Sequence, residues 1–498
     1  MVWRNYLAAV LTGQLSKLAA VGVGLWLTPF VLRYLDREAY GVFALAMSVI
    51  TWLSLADLGT SAGLQAHLAQ VSATATAEEQ SRYLSSTFFA QLASAGLILG
   101  LGAAAAAGFP YFFQVSEGLQ GAAFMLLTFL TMGAAIRQAS RAYEAVLAAY
   151  QRFHWNHALQ LLSVGLRTAC IVFLVSSGWG LISLGIAHLI AVVSGAALSI
   201  VLVCRLLPDV VIRPSFVSGD LLRKVGRSGL WFSLGGLAGL LIYGLDRAVA
   251  AKILSLQAVT VLYVSSRLYD LAESLLSPIT DSARPVMGRL LGQGARSAAL
   301  RAYRGVRRCT LLLSVIAALA VWAGNRAFIT AWVGADFYGG PALDAALALA
   351  LLAKMIPLPS RAALAAGLVV RPQTLVRLVE GSLNFALSVC LAKLFGLAGI
   401  VLATSIAAAA TSAWRLPQLA GRLFHDGGSS AFSGRRAAAF GAVLAVTASL
   451  GRLVAENIGG YWGAGLAMGM TLAVGLAFVW FFETGRELRL KLRALLPA

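Results

Sequence analysis

A handful of charged side chains interrupt stretches of this sequence that are otherwise almost wholly apolar. Lys17, Arg167, Arg267 and Lys354 are the basic ones, and Asp57, Asp246, Asp270, Glu273 and Glu380 the acidic ones. An ion held among apolar residues persists where it meets water, a partner ion or a ligand. Arginine grips phosphate with two parallel N–H donors, and lysine acts as a compact point charge. The basic set therefore reads as a seat for an anionic headgroup. Carboxylates in the same setting can take up protons or sodium. Spacing sharpens this reading. Gln14, Lys17, Gly24 and Thr28 fall near one helical face, as do Ser233, Gly236, Tyr243 and Asp246. Tyr263, Ser266, Arg267, Asp270, Glu273, Ser274 and Ser277 form a broad polar stripe that ends at Pro278. A stripe of this kind lines water or faces another polar helix. Candidate substrate-binding residues are Lys17, Arg267, Lys354, Arg167, Gln14, Tyr243 and Tyr263. Candidate ion-coupling residues are Asp57, Asp246, Asp270, Glu273 and Glu380. Plainer roles compete with these: Arg267 can pair with Asp270 or Glu273 along its own helix, Asp246 with the adjacent Arg247, and Arg167 or Lys354 can snorkel or pair between helices.

Other chemistries find little support. His67, His154, His157, His188 and His425 are dispersed, and His154 and His157 beside Trp155 read as an interfacial anchor. Cys170, Cys204, Cys309 and Cys390 are scattered without ligand spacing. There is no phosphate-binding GxxxxGK[ST] loop. No catalytic residue, metal or cofactor is expected. Gly96 with Gly100, and Gly235 with Gly239, have the spacing of helix-packing motifs.

The elements that must carry these residues are transmembrane helices. Hydrophobic residues make up 59% of the 498 and charged residues 12%, against about a quarter charged in soluble domains. About twenty apolar residues cross a bilayer core as a helix, and the runs here are continuous, unlike the alternation of a barrel. About fourteen spans are predicted, at 6–32, 40–64, 83–108, 118–136, 157–176, 180–204, 228–251, 258–280, 309–325, 341–360, 373–394, 397–417, 437–455 and 461–482, with twelve as the alternative count. With both termini cytoplasmic, Lys and Arg crowd the inner segments: Arg223, Lys224 and Arg227, Arg301, Arg304 and Arg308, and the tail with Arg486, Arg489, Lys491 and Arg493. The outer side holds only Arg33, Arg37, Arg247, Lys252, Arg326, Lys393 and Arg452. The positive-inside rule favours that arrangement. The net charge of +19 then reflects topology and attraction to anionic lipids rather than nucleic acid. The basic stretch 284–308 reads as an amphipathic interfacial helix.

The chain also repeats itself. Glu38-Ala39-Tyr40-Gly41-Val42 is echoed by Gln257-Ala258-Val259-Thr260-Val261, and Gly165 with Gly180-Leu181 by Gly381 with Gly396-Leu397, at nearly constant offsets. Parallel repeats are a transporter signature. The fold class expected is an all-α polytopic membrane protein, with two parallel six-helix lobes around a central cavity and two extra C-terminal helices. The expected domains are an N-lobe at 1–206, a cytoplasmic linker at 207–227, a C-lobe at 228–420, spans thirteen and fourteen at 437–483 and a basic tail at 484–498.

Leu27-Thr28-Pro29-Phe30-Val31-Leu32-Arg33-Tyr34-Leu35 with Ala39-Tyr40-Gly41-Val42-Phe43, and Ala56-Asp57-Leu58-Gly59, resemble the opening of Wzx-type polysaccharide exporters. Asp246, Val259-Thr260-Val261-Leu262-Tyr263 and Arg267-Leu268 resemble the start of that family's second half. Ala366-Gly367, Asn384, Gly396-Leu397-Ala398-Gly399 and Ala403-Thr404 resemble its eleventh and twelfth helices. The likeness runs over about residues 6–417 and departs at Asp36 and Leu256, where Gly is common. It implies membership of the multidrug/oligosaccharidyl-lipid/polysaccharide exporter superfamily. It also implies a cationic cavity and flipping of undecaprenyl-diphosphate-linked oligosaccharide across the bacterial inner membrane by alternating access driven by an ion gradient. Expected partners are that lipid-linked oligosaccharide, protons or sodium as coupling ion, anionic lipids, and a polysaccharide polymerase with chain-length or export proteins. A cation-coupled multidrug antiporter, a lipid II flippase and a membrane polymerase or ligase are the alternatives. The short outer loops disfavour the last of these.

Overall fold

The computed structural model describes residues 19–57, 76–150, 153–208, 210–220, 234–424 and 434–480. Among them there is no strand, and every one of the fourteen predicted spans carries helix. By length and apolarity nine described helices can cross a membrane, or ten with one bent pair. The numbers differ because spans eleven and twelve merge into one long helical stretch, while the helices of the first, second and eighth spans fall outside that group. The eighth span carries the charged stripe.

The chain divides into two compact units, Met1–Leu240 with Ala250–Thr260, and Leu241–Val249 with Val261–Ala498. In the first, α1 (Ala19–Leu32) leads to α2 (Arg37–Leu53). The Asp36 side chain starts α2 by accepting from Ala39 N at 2.7 Å, satisfying one of the N–H groups a helix start leaves open. A Thr76–Glu79 capping box starts α3 (Ala77–Phe112). The helices α4 (Glu117–Ala149), α5 (Phe153–Ser176) and α6 (Ile182–Leu206) follow. Helix α4 packs against α3 and α6, and α6 against α5. Small residues permit the close approaches. A Cβ on Gly133 would meet the His188 ring, and one on Gly185 would meet Leu126. Gly96 and Gly100 face open space, so their spacing serves no packing contact. Three serines of α3 tether the extended segment beyond α6. Ser81, Ser85 and Ser86 accept from the backbone N–H of Val211, Arg213 and Ser218 at 3.0, 3.1 and 2.9 Å.

The second unit opens at a break. Helices α7 (Leu234–Tyr243) and α8 (Asp246–Ile253) meet at 43°. Asn384 donates to the freed carbonyls of Leu241 and Ile242 at 3.4 and 2.7 Å, as a broken helix requires. The next two helices, α9 (Leu256–Gly292) and α10 (Arg296–Trp332), are 37 residues each. At 1.5 Å per residue each is roughly 55 Å long, well beyond a bilayer core. Their basic ends meet at a turn where Gly294 has φ of +73°. The stretch 284–308 is therefore the facing ends of two long helices rather than one separate interfacial helix. Helices α11 (Gly340–Met355) and α12 (Leu358–Ala366) are followed by α13 (Val370–Ala410), kinked at Gly396, and α14 (Ser412–Phe424). The repeated glycines Gly180 and Gly396 share a left-handed φ, +55° and +57°, which an L side chain adopts only with strain. The hairpin α15 (Gly434–Ile458) and α16 (Gly460–Phe478) packs on α10. Gly324 and Gly475 provide its close contacts, in the manner of small-residue packing between membrane helices.

Candidate functional site

In the second unit the polar stripe of α9 meets side chains delivered by three other segments. Lys354 comes from the last turn of α11 and Glu273 from α9. The Lys354 ammonium lies 3.0 Å from Glu273 Oε2 and 5.0 Å from the centre of the Tyr243 ring. The α7–α8 break sets Tyr243 and Asp246 on either side of its bend, and Lys354 and Arg247 both act electrostatically on Asp246. Tyr263 gathers two guanidinium groups, with Arg247 at 5.1 Å and Arg267 at 5.3 Å from its ring centre. Ser266 donates to Asp270 Oδ2 at 3.2 Å. Arg361 on α12 and Arg377 and Glu380 on α13 lie within electrostatic reach of Tyr243, and both Arg377 and Glu380 are buried.

This arrangement can do specific things. Lys354 has one close carboxylate, and the two side chains retain 23% and 34% of their exposure, so an incoming anion can compete with Glu273 for it. Among the described residues no carboxylate comes within ion-pair distance of Arg267, so it does not pair along its own helix. Asp246, Asp270, Glu273 and Glu380 are all in this unit, in the neighbourhood of cations. No described group of three His, Cys, Asp or Glu side chains has the placement to hold a metal ion.

The other sequence-derived candidates divide differently. Lys17 and Gln14 lie outside the described residues, and Asp57 ends a short 3-10 turn, Ser54–Asp57. Arg167 lines a cavity of about 490 Å³ within the first unit, together with Arg137, Glu144, His157 and His188. His157 is thus a cavity residue as well as a neighbour of Trp155.

Sequence reasoning gave no place to Asp344, which is 1% exposed. Its Oδ1 accepts from Asn325 Nδ2 and from the Tyr269 hydroxyl, each at 2.8 Å. Its Oδ2 accepts from the Tyr338 hydroxyl at 3.2 Å and faces Arg452 Nη1 at 3.7 Å. Arg452 also donates to the Tyr338 hydroxyl at 3.0 Å. A lone Asp in the first turns of an apolar helix was the available signal.

The sequence of residues 2–291 matches the polysaccharide biosynthesis protein family. The chain belongs to that family. Among its relatives is the uncharacterized membrane protein EpsK of Bacillus subtilis (strain 168), 25% identical over 333 residues. That match covers 64% of this chain and 64% of EpsK, so the chain spans less than two thirds of that relative's length. A proposed O-antigen transporter of Salmonella typhi is 34% identical over 69 residues, 14% of this chain and 16% of that one. Two solved structures share the fold at low identity. An inward-facing multidrug resistance MATE family transporter of the MOP superfamily superposes with a TM-score of 0.69 at 15% identity, covering 83% of this chain and 96% of its own. The lipid II flippase MurJ in an inward closed conformation also gives 0.69, at 13% identity, covering 96% of this chain and 99% of its own. The family member described here is thus a multi-pass helical membrane protein of the transporter fold, and the two solved neighbours are titled a transporter and a flippase.

Proposed function

We propose that this family member flips an undecaprenyl-diphosphate-linked oligosaccharide from the cytoplasmic to the outer leaflet of the bacterial inner membrane, by alternating access coupled to a proton or sodium gradient. The observation that carries the reading is the membrane-embedded cation set of the second unit, where Lys354 sits beside Glu273 and Arg267 lies over Tyr263 without a close described carboxylate. Such a site suits an anion. A drug antiporter built for cationic substrates would be better served by carboxylates alone. The lipid diphosphate exchanges with Glu273 at Lys354 and gains donors from Arg267. A coupling ion meets Asp246, Asp270, Glu273 or Glu380. The termini are cytoplasmic, as the distribution of Lys and Arg favours.

Deletion of the gene in its host, with surface polymer and the labelled undecaprenyl-linked pool followed together, tests this. Loss of polymer with intact repeat units trapped on the cytoplasmic face is the expected result. Unchanged polymer with altered sensitivity to cationic dyes would overturn it in favour of a drug antiporter, and repeat units accumulating on the outer face would do so in favour of a polymerase or ligase.

A further inference from the structure

The described lining of the cavity in the first unit shares no residue with the Lys354, Glu273 and Arg267 set. It holds about 490 Å³ between α4, α5 and α6, with Ala20 of α1 at its wall, a volume in the range of small-ligand sites. Its lining is unlike a lipid groove. Arg137 on α4 and Arg167 on α5 bring guanidinium groups to it, and both act electrostatically on His188, which is buried on α6. Among the described residues the carboxylate in the lining is Glu144, and it forms no ion pair within 4 Å with Arg137. The other described polar groups of the wall include neutral hydrogen-bonding ones. Gln160 and Ser163 contribute an amide and a hydroxyl. Asn156 donates from Nδ2 to the Glu144 carbonyl at 3.2 Å, while its Oδ1 is buried with no hydrogen-bond partner among the described residues.

Two guanidinium groups ask for an anion with paired oxygens. Amide, hydroxyl and imidazole groups beside an open acceptor ask for a polyol. One molecule that satisfies both is a sugar bearing an anionic substituent. We infer that this cavity is a binding subsite for an acidic sugar of the transported saccharide, with Arg137 and Arg167 holding its carboxylate or ester phosphate and Asn156 and Gln160 its hydroxyls. The inference rests on the flippase reading for its physiological ligand. It adds that the chain selects acidic repeat units, through residues separate from the diphosphate clamp. A phosphate-bearing lipid headgroup offers similar oxygens, so the two sources must be told apart.

Equilibrium binding does this without transport. The full chain is placed in phosphatidylcholine nanodiscs and titrated by microscale thermophoresis with three probes: a tetrasaccharide with alternating glucuronate, neutral chitotetraose, and inorganic diphosphate. Wild type is expected to bind the acidic tetrasaccharide at least about tenfold more tightly than chitotetraose. Arg137→Gln and Arg167→Gln are each expected to lose about ten- to one-hundredfold in that affinity, the range of a charge-assisted hydrogen bond. Arg167→Lys, which keeps the charge and loses the fork, should lose less. Asn156→Ala should weaken both tetrasaccharides. Equal affinity for the acidic and neutral probes would overturn the inference, as would variants that melt like wild type yet bind as it does. Tight binding of diphosphate that is lost in Arg137→Gln, with no preference for the acidic sugar, would assign the cavity to the lipid headgroup and overturn it equally. If the arginine variants are unstable, the acidic-to-neutral ratio in wild type decides alone. Because no flipping is measured, failure here leaves the flippase reading standing, and failure of flipping leaves this binding result standing.

Discussion

Asp344 and Lys354 stand about three turns apart on one helix, α11, and they represent two ways of keeping a charge among apolar helices. Asp344 is sealed. Donors from Asn325, Tyr269 and Tyr338 close on it, Arg452 faces it, and 1% of its surface is left exposed. Lys354 is open. It has one carboxylate at 3.0 Å, an aromatic face at 5.0 Å and 23% of its side chain accessible. A saturated ion ties helices together, since any exchange of partners would leave buried groups unpaired. An ion with a single half-exposed partner is available for exchange with a ligand. The distinction between scaffold and site lies in saturation rather than in residue type.

The comparison breaks most visibly at Asp344. Asp344→Ala strands three donors and leaves the partly buried Arg452 guanidinium with Glu456 at 3.6 Å as its carboxylate, and should cost about 3–5 kcal/mol. The chain is expected to fail to accumulate or to melt far below wild type in detergent. If Asp344→Ala accumulates and melts normally, the network is not a structural tie. At Lys354 the expected effect is on transport. Lys354→Ala should lower flipping at least about tenfold. It should leave melting closer to wild type than Asp344→Ala does, because Glu273 keeps 34% of its exposure against 1% for Asp344. Equal loss of stability in the two variants would erase the distinction. A smaller effect comes from Tyr338, whose hydroxyl is pushed up to about 12 by burial and the neighbouring Asp344 carboxylate. A raised value means stabilisation that is complete below the ordinary tyrosine range near 10 and is lost as pH rises toward 12. Wild-type melting should therefore fall over that window, and Tyr338→Phe should flatten the fall. The smallest effect is expected at Arg326, which pairs with Glu456 at 2.8 Å on the surface with 54% and 38% exposure. Arg326→Ala should shift melting by little more than measurement error.

Much of the fold could be read directly from the chain, because span length and apolarity are local properties. The glycine echo at Gly180 and Gly396 is local too, and the two share a positive φ. The sites were legible only where one helix carries the pattern. The α9 stripe was visible because Tyr263, Arg267, Asp270 and Glu273 recur on one face. Lys354 was visible as a cation in an apolar run, but its partner, Glu273, is 81 positions away. Arg167 was visible as a cation in a span, and only the packing of α4 against α6 and of α6 against α5 brings it to a cavity with Arg137 and His188. Asp344 escaped because its partners come from α9, α10, α15 and the loop before α11, none near it in sequence. Helix ends were misjudged at 284–308 because charged residues there can extend a helix beyond the bilayer as easily as begin a new one.

The central claim is that an anionic lipid-linked saccharide is moved through a membrane interior that offers exchangeable cations. Its most direct test is reconstitution of the purified chain in proteoliposomes with a fluorescent undecaprenyl-diphosphate-linked oligosaccharide under an imposed proton or sodium gradient, scored by protection of the sugar from an external glycosidase. The account predicts gradient-dependent change in protection with wild type and at least a tenfold slower change with Lys354→Ala. No movement by wild type of this lipid, in vesicles where the same protein expels a cationic dye, would contradict it.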